Sequence, residues 1–123
     1  MGSRSDFANV NANNFTFREG RRKYESIGIV SGVKVLVQTS GSVKAPEVSH
    51  SANRIYAVIQ NGKIKHLAYY DSNHRQAACI DFNHSHNGKS PHKHLYLNHR
   101  GEAADLNSKD WKIIKKLQRK YRI

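Results

Sequence analysis

The sequence predicts an α+β domain: a twisted antiparallel sheet of about four strands arranged as a meander, with a basic C-terminal helix packed on one face. Three observations support this fold class. The dipeptide Asn61-Gly62 separates two strand-like runs, and Asn-Gly accepts the positive φ angles of a tight hairpin turn. Further strand-like runs follow the hairpin, and from Asn107 onward the apolar residues recur at helical spacing.

The chain is short and strongly basic. Its 123 residues fit a single domain, and 21 Lys and Arg against 9 Asp and Glu give a net charge of +12. Such a charge attracts polyanions, of which nucleic acid is the most common. One cysteine excludes an internal disulfide, and no apolar run approaches the roughly 20 residues that span a bilayer. We expect a flexible polar arm at 1–14 and one domain at 15–123.

The strands are predicted from β-branched and aromatic runs bounded by turn residues. RIYAVIQ and KIKHLAYY flank the Asn-Gly turn, RQAACIDF follows the turn at Asp71–His74, and KHLYLNH is the fourth strand. Upstream, IGIVSGVKVLVQTS predicts one or two strands, and Gly41–Ser51 predicts a loop. The basic segment at 16–27, TFREGRRKYESI, predicts either a short helix or a basic loop.

The C-terminal helix begins with a capping signal, because Asn107 precedes an acidic residue, Asp110, in the first turn. An apolar stripe is predicted to pack on the sheet, formed by Trp111, Ile114, Leu117 or Gln118, and Tyr121. The rest of the helix is rich in Lys and Arg, a face that either grips phosphates, contacts a membrane or is simply solvated. Candidate RNA-binding residues are Arg75, Lys112, Lys115, Lys116 and Arg119.

A histidine cluster is the most distinctive motif. Residues 84–94, HSHNGKSPHKH, contain four histidines. Side chains alternate between the two faces of a strand, so in KHLYLNH the leucines face the core while His94 and Tyr96 share the other face. Asp81 of the preceding strand is predicted to join them. The candidate catalytic residues are therefore His92, His94, His84, His86, Asp81, Tyr96 and Lys89.

This set suits transesterification of RNA without a metal or other cofactor. Histidine titrates near neutrality, so one imidazole can act as base and another as acid, while Lys89 or Arg75 stabilises charge on the phosphate. Histidines two apart on a strand also suit a metal-dependent nuclease, which stays open as an alternative. Cys79 lies in an apolar run and is predicted to be a packing residue rather than a nucleophile.

The run at 54–101, from RIYAVIQNGK through the YD turn and IDF to PHKH, resembles the C-terminal toxin domains of bacterial polymorphic, contact-dependent toxin systems. These in turn are similar to the barnase, EndoU, colicin and RelE group of small RNases. The positions that match the motif are Asp81, His84, His86, Pro91, His92 and His94. Those RNases usually carry an N-terminal helix, for which residues 1–27 give only a weak signal.

The resemblance implies a ribonuclease toxin that cleaves RNA or tRNA without a metal ion. It implies secretion as part of a larger effector, action in the cytoplasm of a competing bacterium, and a cognate immunity protein that covers the site. That partner is expected to be acidic, complementing the charge of the toxin. The alternative from another class is a non-catalytic RNA-binding or interaction module, supported by the basic helix alone.

Overall fold

The computed structural model describes residues 16–82, 92–97 and 100–123. Within these residues the chain forms eight strands and one helix. In chain order they are β1 (Thr16–Glu19), β2 (Arg22–Val30), β3 (Val33–Ser40), β4 (Ile55–Gln60), β5 (Lys63–Tyr70), β6 (Gln76–Asp81), β7 (His92–Leu97), β8 (Arg100–Ala104) and α1 (Ser108–Tyr121). The predicted arm at 1–14 lies outside the described residues.

The strands form one mixed sheet in sequence order, β1 to β8. The expectation of an α+β fold with a four-stranded antiparallel sheet is therefore wrong, because the domain is mostly sheet. The four predicted strands are present as β4 to β7, and the C-terminal helix is present as well. Neighbouring strands are antiparallel except β3 and β4, which are parallel. Tight-turn signals predict hairpins and give no information on such a parallel pair.

The segment at 16–27 is neither helix nor loop. It forms β1 and the first part of β2, joined by a turn at Gly20, whose φ of +61° suits glycine. Tyr24 in β2 is fully buried and stacks on Phe17 of β1, with 5.0 Å between ring centroids. The many basic residues make the sequence pattern of this hairpin hard to recognise. Their side chains are largely solvated, while the aromatic residues between them pack against each other.

Residues 41–54 connect the parallel strands β3 and β4 and cover one side of the sheet; we call this segment the crossover. A parallel connection needs a dozen or more residues, and here it contains no helix. Tyrosine hydroxyls of the sheet donate to its carbonyls, Tyr24 to Lys44 and Tyr70 to Pro46. The backbone N–H of His50 donates to the Tyr56 hydroxyl at 2.9 Å. Ala45 is buried in the same cluster.

Helix α1 covers the opposite side of the sheet. Asn107 caps it, accepting from the Asp110 N–H at 2.8 Å, while the Asp110 carboxylate accepts from the Asn107 N–H at 2.9 Å. The apolar residues that it buries are Ile113, Ile114 and Leu117. Trp111 is 41 % exposed, so the prediction that it packs on the sheet is wrong. The buried arc is set by residues 110, 113, 114 and 117, which turns residue 111 towards solvent.

Candidate functional site

Two consecutive residues of β7, Lys93 and His94, show which strand residues face α1 and which face the crossover. The Lys93 Nζ donates to the Asp110 Oδ2 of α1 at 2.9 Å, so Lys93 lies on the helix side. His94, the next residue, therefore lies on the crossover side, since successive side chains alternate. On β6, Ile80 belongs to the core under α1, and Cys79 belongs to the core under the crossover. Asp81 thus shares the crossover side with Cys79 and His94.

The register of β5, β6 and β7 brings titratable residues onto neighbouring positions. Asp81 pairs with His66 of β5 on one side and with the backbone of His92 of β7 on the other. Cys79 pairs with His94. Directly opposed residues have Cβ atoms about 4.5–5.5 Å apart, and diagonal neighbours such as Asp81 and His94 are within about 7–8 Å. The register therefore concentrates acid–base groups around Asp81.

Cys79 forms the apolar floor of this region. Its side chain is buried, and the Sγ lies 3.8 Å from the Nδ1 of His66. Burial, followed by the negative charge of Asp81, raises the pKa of the Cys79 thiol to about 12. A thiol with that pKa remains protonated at neutral pH and is a poor nucleophile. This agrees with its interpretation as a packing residue.

Tyr96 lies two residues beyond His94 on the same side of β7. Its side chain is 40 % exposed and borders a depression of about 300 Å³ lined by Lys44, Glu47, Gln76 and Tyr96. Burial of part of the ring, then the proximity of Cys79 and Asp81, raises the pKa of its phenol. The hydroxyl therefore stays a hydrogen-bond donor at neutral pH, and the exposed ring offers a surface on which a nucleobase can stack.

The rim of the depression opposite Tyr96 comes from the crossover. Lys44 and Glu47 form an exposed ion pair there, with 3.4 Å between Nζ and Oε1. The side-chain N–H of Gln76 donates to the carbonyl of Pro46 at 3.0 Å, which ties the start of β6 to the crossover. The depression thus lies between the crossover and the strands β6 and β7. It is shallow and open, with a polar rim and one aromatic side chain, Tyr96.

The structure separates several predicted site residues from this cluster. Arg75 precedes β6 at the end distant from Asp81, roughly 20 Å away along an extended strand. The candidate RNA-binding residues of α1 are exposed on the helix side, away from His94. His84, His86, Lys89 and Pro91 lie outside the described residues, and of His92 only the backbone is described. Asp81, His94 and Tyr96 are the predicted site residues that the described part brings together.

His66 is not among the site residues predicted from the sequence. The structure places it directly opposite Asp81. The sequence contains part of the information needed to pair His66 with Asp81, because the turn at Asp71–His74 fixes the register of β5 against β6. Counting residues back from this turn along both strands leads to the pair. The register shift at Tyr69/Tyr70 displaces that count by one residue.

The metal alternative depends on histidine pairs of which His84 and His86 lie outside the described residues. In the ranges 16–82, 92–97 and 100–123, no group of three or more His, Cys, Asp or Glu side chains is arranged to hold a metal ion. The same ranges contain no helix with the length and apolar character needed to cross a bilayer.

Neither a protein-family model, nor a curated protein, nor a solved structure matches the chain.

Proposed function

We propose that the protein is a ribonuclease that cleaves RNA by acid–base transesterification without a metal ion. The observation that carries this proposal is the register that groups His66, Asp81 and His94 on one side of a sheet, beside the depression bordered by Tyr96. A net charge of +12 supports a polyanionic substrate. The resemblance of residues 54–101 to polymorphic toxin domains extends the proposal to an antibacterial effector with an acidic immunity protein.

The reaction needs two proton transfers. A base removes the proton of the 2′-hydroxyl, the 2′-oxygen attacks phosphorus, and the bond from phosphorus to the 5′-oxygen breaks. An acid protonates the leaving 5′-oxygen, and a 2′,3′-cyclic phosphate remains. His94 supplies one of the two imidazoles, and His92, which pairs with Asp81 in the register, supplies the other. The carboxylate of Asp81 lies next to both positions in the register and can accept a hydrogen bond from a neighbouring imidazole N–H.

The depression supports substrate positioning. An unstacked base is recognised in single-stranded RNA by stacking on an aromatic ring and by hydrogen bonds to its edge. Tyr96 offers the ring, while the Gln76 amide and the Lys44–Glu47 pair offer polar groups on the rim. A base held there would keep the adjacent phosphodiester near His94, two residues along β7. Positioning of this kind lowers the entropic part of the barrier.

A non-catalytic RNA-binding module is the second candidate, and the exposed basic face of α1 favours it. A single experiment separates the candidates. Purified protein is incubated with total RNA in EDTA and again with added zinc, and the products are resolved on a gel and their ends identified by mass spectrometry. Cleavage in EDTA with cyclic-phosphate ends is expected. Cleavage that needs zinc would identify a metal-dependent nuclease, and retention of RNA without cleavage would identify a binding module.

The site is tested by a matched pair of substitutions. His94→Asn is expected to lower the cleavage rate by about 10²- to 10⁴-fold, the contribution of one proton-transfer group. The control is His74→Asn, in the turn before β6, where φ is +66°, a conformation that asparagine adopts readily. Because the His74 Nδ1 lies 2.9 Å from the Ser49 carbonyl, urea unfolding checks that the control remains folded. The control should cleave at close to the wild-type rate. If His94→Asn stays folded and fully active, His94 is not part of the site.

A further inference from the structure

The exposed face of α1 is strongly basic. Besides Ser108 and Gln118, its exposed residues are Trp111 and the basic residues Lys109, Lys112, Lys115, Lys116, Arg119 and Lys120, and the C-cap residue Arg122 is also exposed. With about 100° between residues, Lys115 lies one turn beyond Trp111 and Arg119 one turn beyond Lys115. The acid of the helix, Asp110, is 2 % exposed and faces the sheet. A row of cations therefore runs along the helix from an exposed indole.

We propose that this face of α1 binds single-stranded nucleic acid at a site separate from the cleavage site, with Trp111 stacking on a base and Lys115 and Arg119 contacting phosphates. Single-strand binding sites combine these two elements, because every base has a π face and every linkage a charge. That the bound strand is RNA rests on the proposed ribonuclease function. Binding of a single strand that cannot be cleaved does not depend on the ribonuclease function.

The geometry separates this surface from His94. Lys93 holds Asp110 on the helix side at 2.9 Å, whereas His94 points to the crossover side. A helix is about 10–12 Å across with its side chains, so its exposed face and His94 are separated by the sheet and by α1. Trp111 follows Asp110 directly and therefore lies at the end of α1 that is anchored to β7. A strand of several nucleotides that passes the β8 edge could contact both surfaces.

Other occupants fit the face less well. A helix that lies on a membrane inserts an apolar face, but here Ile113, Ile114 and Leu117 are buried against the sheet. A protein groove that receives a helix needs apolar anchors at i, i+3, i+4 and i+7. On the exposed arc of α1, Trp111 stands among Lys and Arg. Charge combined with one exposed aromatic ring matches a nucleic acid strand best.

Trp111 is the only tryptophan of the chain, so its fluorescence reports on this surface alone. The full chain is titrated with a 20-nucleotide oligothymidine, which lacks the 2′-hydroxyl and cannot undergo transesterification. We expect the fluorescence to be quenched on binding. Lys115→Gln with Arg119→Gln should lower the slope of log affinity against log salt by about 0.7 for each phosphate that is no longer neutralised. Trp111→Ala should weaken binding, followed by anisotropy, by about 5- to 150-fold.

The matched control is Arg18→Gln with Lys63→Gln, which removes the same charge from exposed residues of β1 and β5. It should bind with nearly wild-type affinity and quenching. The inference is overturned if oligothymidine leaves the fluorescence unchanged, or if both double variants lose affinity equally. It is also overturned if polyglutamate or phosphatidylserine vesicles quench Trp111 as strongly. Absence of RNA cleavage by the wild-type chain would refute the ribonuclease proposal while leaving this binding result intact.

Discussion

The two sides of the sheet bury different kinds of side chain. On the helix side the core is aliphatic, with Val, Ile and Leu from the strands packed on α1, and it includes a buried ion pair between Lys93 and Asp110. On the crossover side the core contains Tyr24, Tyr56 and Tyr70. A helix satisfies its own backbone hydrogen bonds, whereas an irregular crossover needs hydrogen-bond partners from the sheet. Tyrosine supplies apolar area together with a hydroxyl that donates, as in Tyr24 and Tyr70, or accepts, as in Tyr56.

The difference also locates the candidate site. On the helix side, α1 covers an aliphatic core. The titratable pair on this side, Lys93 and Asp110, joins β7 to α1. On the crossover side, tyrosine and glutamine side chains hold the crossover against the sheet. The same side carries Asp81 and His94 at intermediate burial, and His66 with a buried Nε2. The candidate site therefore lies on the side of the sheet that faces away from α1.

The largest effect is expected from breaking the ion pair on the helix side. Asp110 is 2 % exposed and Lys93 12 %, so Asp110→Asn leaves a largely buried cation without its partner. Removal of one member of a buried pair costs about 3–5 kcal/mol. Urea unfolding at pH 7 measures the change. Glu25→Gln, an exposed carboxylate on β2, is the control and should change stability by no more than about 0.5 kcal/mol.

The same pair gives a pH dependence. Burial alone would raise the pKa of Asp110, but hydrogen bonds from Tyr69, the Asn107 backbone and Lys93 outweigh it, and the pKa is lowered. A carboxyl whose pKa is lowered by folding adds stability above its unfolded pKa of about 3.9 and loses it as the pH falls through the folded pKa. The stability difference between the wild type and Asp110→Asn should therefore shrink below about pH 4. A constant difference down to pH 2 would contradict this assignment.

A smaller effect on stability is expected from removing the hydroxyl of either of two consecutive tyrosines, which bind partners on opposite sides of the sheet. The Tyr69 hydroxyl donates to Asp110 on the helix side, and the Tyr70 hydroxyl donates to the Pro46 carbonyl on the crossover side. Hydrogen bonds to charged groups contribute about 1.5–3 kcal/mol and neutral ones about 0.5–1.5 kcal/mol. Tyr69→Phe should thus destabilise more than Tyr70→Phe in urea unfolding at pH 7. Equal losses would show that the two sides are held with equal strength.

The smallest perturbation probes the floor of the candidate site. Burial and the charge of Asp81 raise the pKa of the Cys79 thiol to about 12, so little thiolate forms at pH 8. Alkylation by iodoacetamide in the folded protein should be at least about 10²-fold slower than in urea, since the thiolate is the reactive form. Loss of reagent-accessible thiol is followed by mass spectrometry. Rapid labelling of the folded chain would mean that this end of the crossover side is open to solvent.

Local patterns predicted the elements whose signals are local. The Asn61-Gly62 turn fixed the β4–β5 hairpin, and Asn107 with Asp110 fixed the start of α1. The alternation along β6 and β7 was sufficient to assign Asp81 and His94 to the side opposite α1. Each of these depends on interactions between residues close in the chain, where periodicity and turn chemistry carry the information.

Tertiary structure alone decided the rest. By itself the sequence determined a basic chain, the strands β4 to β7, a capped C-terminal helix and a cluster of histidines near one strand pair. Other features depend on partners distant in sequence. They are the parallel pairing of β3 with β4, the inclusion of β1, β2, β3 and β8 in the same sheet, the exposure of Trp111, and the position of His66 opposite Asp81. Burial and register at those positions are set by which surfaces meet, and no local periodicity encodes that choice.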